Sequence, residues 1–180
     1  MIDYTNPTTV WYAMKTTYKR ELKAKALLDA HQVENFIPMQ RHIVVKNGKK
    51  QLVCKPAINN LIFMRANGDV LQKMKSKADF IHNRLMKDGN SLIPIIIPDG
   101  DMNQFITLTN NSLDKIQYLD LSSVVLSKGG RVRVIGGDFM GYEGVLMKIK
   151  GARDKRVVVS IEGVIAVAMA TIDAELIEKI

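Results

Sequence analysis

The chain has 180 residues, 47% of them hydrophobic, and a formal net charge of +8, enough for one large domain or two small ones with proper cores. No apolar run approaches the roughly 18 residues that span a bilayer, and residues 92–97 are both short and broken by Pro94. The first residues lack the basic-then-apolar order of a secretory leader. The one cysteine, Cys54, cannot close an internal disulfide, so a cytoplasmic location is expected.

Residues 9–14 are β-branched and aromatic and read as an opening strand that holds Trp11 and Tyr12. Residues 18–31 read as an amphipathic helix, with Leu22, Ala26, Leu27 and Ala30 inside and Lys19, Arg20, Lys23 and Lys25 outside. A short extended piece follows at 34–40, which Pro38 assigns to an edge or an end. Residues 41–46 and 49–55 flank Asn47-Gly48, the strongest short-range hairpin signal. Residues 60–64 read as a buried strand, 69–77 as a helix and 80–85 as a strand. Asp99 or Asp101 is placed to cap a last helix through Met102, Phe105 and Ile106. That order implies an antiparallel sheet with helices packed on it, an α+β sandwich.

The stretch 108–127 is polar and rich in turn formers, and reads as a linker with Tyr118 and Leu119 partly ordered. Residues 131–149 then give an alternating strand, a glycine-rich turn and a second alternating strand. Strands at 156–161 and 164–168, a single turn near 173–176 and a closing strand at 177–180 complete a small five-stranded barrel. Phe139 and Tyr142 are the large aromatics available to plug its end.

Charge is unevenly spread. Residues 41–87 carry eleven Lys/Arg against two acids, whereas 128–180 carry nine against seven. A local surplus of this kind favours a polyanion through counterion release and steering, or is simply a solvated lysine surface. The hairpin lysines Lys46, Lys49 and Lys50 and the helix lysines Lys73, Lys75 and Lys77 are the candidates for nucleic-acid contact.

Nothing in the chain has the pattern of a catalytic or metal centre. His31, His42 and His82 are scattered and none sits in metal-ligand spacing. The glycine-rich stretch lacks the Lys-Ser/Thr ending of a P-loop. Asp99 and Asp101 are explained as turn and cap residues, and Cys54 as a small buried side chain in a strand. The expectation is a protein that is not an enzyme and takes no cofactor or metal.

The spacing G-x-F-x-G-x-x-G, on Gly137, Phe139, Gly141 and Gly144, resembles the KOW motif of NusG-type transcription factors and of some ribosomal proteins; a generic hairpin of an SH3-like barrel has the same outline. With Trp11-Tyr12, Phe36-Ile37-Pro38 and the strand at 60–63, the whole of residues 10–180 resembles the NusG family. The resemblance implies an N-terminal (NGN) α/β sandwich over 8–110, a linker over 111–127 and a KOW barrel over 128–180. It also implies a factor that docks on the clamp helices of the largest RNA polymerase subunit and bridges the DNA cleft, disfavouring paused or terminating enzyme. Matched residue by residue, the docking patch falls on Ile58, Leu61 and Phe63, with Trp11 and Tyr12 in support. A Leu61→Asp/Phe63→Asp change is then expected to abolish binding and spare the fold.

The stretch 94–105 is similar to the specialised UpxY-like antiterminators of capsular-polysaccharide operons. Two departures from the family pattern bear on partners. Asn59-Asn60-Leu61 stands where Pro-Gly or Pro-Asn followed by an aromatic is usual, and Glu162 stands where general NusG proteins carry an apolar anchor for ribosomal and termination-factor contacts. The implied function is operon-specific antitermination on RNA polymerase, with upstream or non-template DNA and nascent RNA as further partners. A general NusG elongation factor and a ribosomal-type KOW RNA-binding protein are the alternatives.

Overall fold

The computed structural model describes residues 8–119, 129–149 and 153–180. Two compact units divide near residue 102, earlier than the expected linker.

In the first unit the strands are β1 (Val10–Thr16), β2 (Asn35–Phe36), β3 (Met39–Lys46), β4 (Lys49–Pro56), β5 (Leu61–Ala66), β6 (Ile81–Asn83), β7 (Leu85–Asp88), β8 (Ser91–Pro94) and β9 (Ile96–Ile97). The helices are α1 (Glu21–Ala30), α2 (Gly68–Lys77) and α3 (Asp99–Asn111), the last running across the division. The central sheet has the order β2-β5-β1-β6, with β9 also on β1, and every pairing is antiparallel. One face of this sheet carries Tyr12, Met14, Ile62 and Met64, which form a core with Ala24 and Leu28 of α1 and Leu71 and Met74 of α2.

The helical stripe of α1 differs from the expected one. Ala24 and Leu28 are buried and Leu27 is partly so, whereas Leu22, Ala26 and Ala30 are exposed. Tyr18 and Lys19 adopt positive φ (55° and 53°) ahead of the helix, and the stripe that packs on the sheet core is Glu21, Ala24 and Leu28, at helical spacing. Glu21 is itself buried and accepts a hydrogen bond from Thr16 Oγ1 at 3.4 Å. In α2 the Asn67 side chain caps the helix by accepting from the Val70 N–H at 2.9 Å. Asp99 and Asp101 lie in the first turn of α3, and Asp99 serves an ion pair described below.

Two hairpins stand outside the central sheet. β3 and β4 pair along their whole length about Asn47-Gly48, from Met39 opposite Pro56 to Lys46 opposite Lys49; Cys54 in β4 is exposed, not buried as expected, because this ribbon stands off the central sheet. β7 and β8 form a second, about Gly89, where the sequence suggested one strand and an apolar run.

The second unit is a six-stranded antiparallel sheet of β10 (Ile116–Leu119), β11 (Arg131–Val134), β12 (Glu143–Lys148), β13 (Lys155–Ile161), β14 (Ile165–Met169) and β15 (Ile177–Lys179), in the order β10-β14-β13-β12-β11-β15. Among the described residues no pairing joins β10 to β15 into a ring. Leu119, Met147, Ile149, Val158, Ala166 and Ala168 form its core. β10 comes from the stretch expected to be linker; the rest of that stretch, from 120 on, lies outside the described residues.

Candidate functional site

Antiparallel register decides which side chains of the expected docking patch share a face, because directly opposed residues point the same way. Phe63 is opposite Ala13 and Phe36, Leu61 opposite Lys15, and Trp11 opposite Arg65. Trp11, Leu61 and Phe63 therefore lie on one face. Tyr12 is opposite Met64 and joins the core on the other face, so the structure does not bring it to the patch. Leu61 and Phe63 are 0% exposed and Trp11 is buried. Of the five, only Ile58, in the loop before β5, keeps partial exposure.

The edge of this face is fixed by charge. Arg65 Nη2 donates to Asp99 Oδ2 at 2.9 Å and Nη1 to Glu34 Oε2 at 3.4 Å. Asp99, first by hydrogen bonding and then by charge, raises the Arg65 pKa. Arg84 moves the opposite way, its pKa lowered by burial.

The nucleic-acid candidates fall into two groups. Lys46, Lys49 and Lys50 are exposed at the tip of the β3–β4 ribbon, with Lys46 directly opposite Lys49. Like charges opposed across a ladder are unfavourable, so a polyanion there would relieve them. On α2, Lys73 and Lys77 are exposed and one turn apart, whereas Lys75 points elsewhere and is half-buried. Lys73 also lines a cavity of about 330 Å³ with His31, Gln32, Glu34 and Arg65.

Sequence reading missed a third basic group. Tyr18 is 88% exposed, and the Arg20 guanidinium lies 5.5 Å from its ring and 4.3 Å from that of Phe80, with Lys23 Nζ 5.3 Å from Phe80. An exposed ring among cations can stack on an unpaired base. Tyr18 and Lys19 both take left-handed backbone here, and neither residue type announces it.

In the second unit the expected motif glycines have separate duties. Gly137 (φ 76°) and Gly141 (φ 88°) take the left-handed turn around a short helical turn that buries Phe139. Gly144 sits where a Cβ would meet the Val158 carbonyl oxygen at 2.6 Å. Glu143 accepts from Arg133 at 2.6 Å and from Arg131 at 3.3 Å, and the Arg133 hydrogen bond holds its carboxyl below the ordinary range. Glu162 is exposed in the turn between β13 and β14. Among the described residues no group of three His, Cys, Asp or Glu side chains is placed to hold a metal ion, and no helix is long and apolar enough to cross a membrane.

The family model for NusG, described as transcription termination factor nusG, matches residues 9–106, more than half of the chain. The chain belongs to the NusG family. Proteins of the NusG family are transcription factors without enzymatic activity that bind RNA polymerase. The chain is also similar to a solved structure described as "Domain interaction in Thermotoga maritima NusG", at 18% identity and TM-score 0.44, covering 96% of this chain and 98% of that one. A second similar structure is the MjSpt4:Spt5 complex in conformation B, at 11% identity and TM-score 0.28, covering 94% and 96%. Among the curated proteins none matches this sequence.

Proposed function

We propose that this NusG-family chain is an operon-specific antitermination factor, without enzymatic activity, that binds the RNA polymerase clamp helices and suppresses pausing or termination in polysaccharide biosynthesis operons. The family match over residues 9–106 carries the polymerase part of this reading. Glu162 in the β13–β14 turn supports the specialised part, since a carboxylate replaces an apolar anchor, as does the UpxY-like stretch 94–105. Docking uses the sheet face of Trp11, Leu61 and Phe63, entered from Ile58. Leu61 and Phe63 have no accessible surface, so this face opens before they touch polymerase. Lys46, Lys49, Lys50, Lys73 and Lys77 reach upstream or non-template DNA or nascent RNA.

Ile58→Asp is expected to weaken binding of the full chain to core polymerase by about tenfold or more and to change stability by less than about 1 kcal/mol. Unchanged affinity would remove Ile58 from the interface. Wild-type protein that ignores polymerase and retains RNA would favour the ribosomal-type alternative. Transcription through a terminator on the chain's own operon and on unrelated templates separates a specialist from a general elongation factor. Lys49→Glu/Lys50→Glu is expected to lower recruitment and flatten its salt dependence; an unaltered salt slope would take nucleic acid away from the ribbon tip.

A further inference from the structure

The β3–β4 ribbon has a face that its lysines do not explain. Period-2 alternation and the register place Arg41, Ile43 and Val45 of β3 on the same side as Cys54, Leu52 and Lys50 of β4. Ile43 and Val45 are each 70% exposed and Leu52 is 64% exposed. Val44 and Val53, on the opposite side, are half-buried. The outward face is thus an aliphatic row, with Ile43 and Leu52 directly opposed at its centre and Lys50 and Arg41 towards its two ends. An apolar centre with a charged rim is the build of a protein interface. A two-stranded ribbon is also marginal in water until a face is covered.

The charge of the segment selects the occupant. Residues 39–56 contain five Lys/Arg and no Asp or Glu. A second copy would bring its own Arg41 and Lys50 against the first pair, which disfavours self-association through this face. Nucleic acid would meet the lysines and leave the aliphatic row uncovered. The ribbon has no Phe, Tyr or Trp on which a base could stack. We infer that the Ile43, Val45 and Leu52 face is a protein-docking surface, and that its occupant is an apolar strip rimmed by carboxylates on the polymerase. The inference rests on the polymerase reading above and adds a contact separate from the β5 face. The tip lysines Lys46 and Lys49 point to the other side and remain available to nucleic acid.

The test uses the full chain, core RNA polymerase free of nucleic acid, and a short random-sequence DNA duplex. Ile43→Thr/Leu52→Thr keeps strand-forming side chains at exposed positions, and its unfolding midpoint should match wild type. It should lower polymerase affinity about tenfold with duplex affinity unchanged. Arg41→Glu, at the end of the row away from the tip, leaves the apolar row intact and should also weaken polymerase binding, with most effect at low salt. Wild-type polymerase affinity in both variants overturns the inference. So does loss confined to the duplex, which would make the face a nucleic-acid reader, or a wild-type dimer that Ile43→Thr/Leu52→Thr dissolves while polymerase binding persists. A wild-type chain that does not bind polymerase sinks the proposed function and this inference with it, whereas wild-type binding with unaffected variants sinks this inference alone.

Discussion

Phe63→Ala is expected to lower the unfolding free energy by about 3–5 kcal/mol, the usual range for truncating a fully buried aromatic. Phe63 is 0% exposed and lies in β5 between β2 and β1, opposite Phe36 on one side and Ala13 on the other. Removing the ring leaves a cavity on the buried face that Phe63 shares with Trp11 and Leu61, which the surrounding side chains fill only partly. Chemical denaturation followed through Trp11, the one tryptophan, reads the loss directly. Half-buried Ile58, changed to alanine, should cost less than about 1 kcal/mol. A loss below about 1 kcal/mol at Phe63 would overturn its assignment to the core. The magnitude also bears on function. Leu61→Asp/Phe63→Asp would place two carboxylates where no water reaches, and the expectation that the fold survives such a change does not fit this burial. Polymerase binding lost in that variant would report unfolding as readily as a missing contact, which is why Ile58→Asp is the cleaner probe.

How much of this was legible beforehand depends on whether the governing interaction is local. The Asn47-Gly48 turn set the register of β3 and β4 correctly because its left-handed geometry is encoded in two adjacent residues. Period-2 alternation placed Leu61 and Phe63 on one face and Ile62 and Met64 on the other for the same reason. The Gly89-Asn90 turn carries a comparable signal for the β7–β8 hairpin, beside an apolar run that reads more strongly. The inner stripe of α1 was not legible, since it includes a carboxylate, Glu21, whose burial depends on Thr16 of β1. Nor was β10: Ile116–Leu119 reads as weak strand in isolation and is fixed by pairing with β14, remote in sequence. At the candidate site the alternation within β5 was readable, but Tyr12, expected beside Trp11, lies on the other face, and exposure was not readable because burial depends on what lies over the face.

The glycines of the turn motif allow the second large effect to be separated into its causes. Gly144→Ala is expected to cost about 2–3 kcal/mol, the scale of overpacking in a rigid site. The new methyl would lie 2.6 Å from the Val158 carbonyl oxygen and 2.9 Å from Val157 Cγ1. These belong to β13, which pairs with β12 through Val145 opposite Val158 and Leu146 opposite Val157. A backbone carbonyl cannot rotate aside as a side-chain tip can, so the two strands must separate locally. Gly141→Ala meets nothing within 4 Å and should cost about 1 kcal/mol, from its φ of 88° alone. Gly130→Ala, in open space without a positive φ, should be neutral within about 0.5 kcal/mol. The ranking Gly144 over Gly141 over Gly130, measured by denaturation of the full chain, assigns the first glycine to close strand approach and the second to turn conformation. If Gly144→Ala were no worse than Gly141→Ala, close approach would be irrelevant and the motif would be a turn signal only. The steric reading instead makes Gly144 the position at which the alternating strand β12 is held against β13, with Phe139 and the two left-handed glycines closing the turn ahead of it.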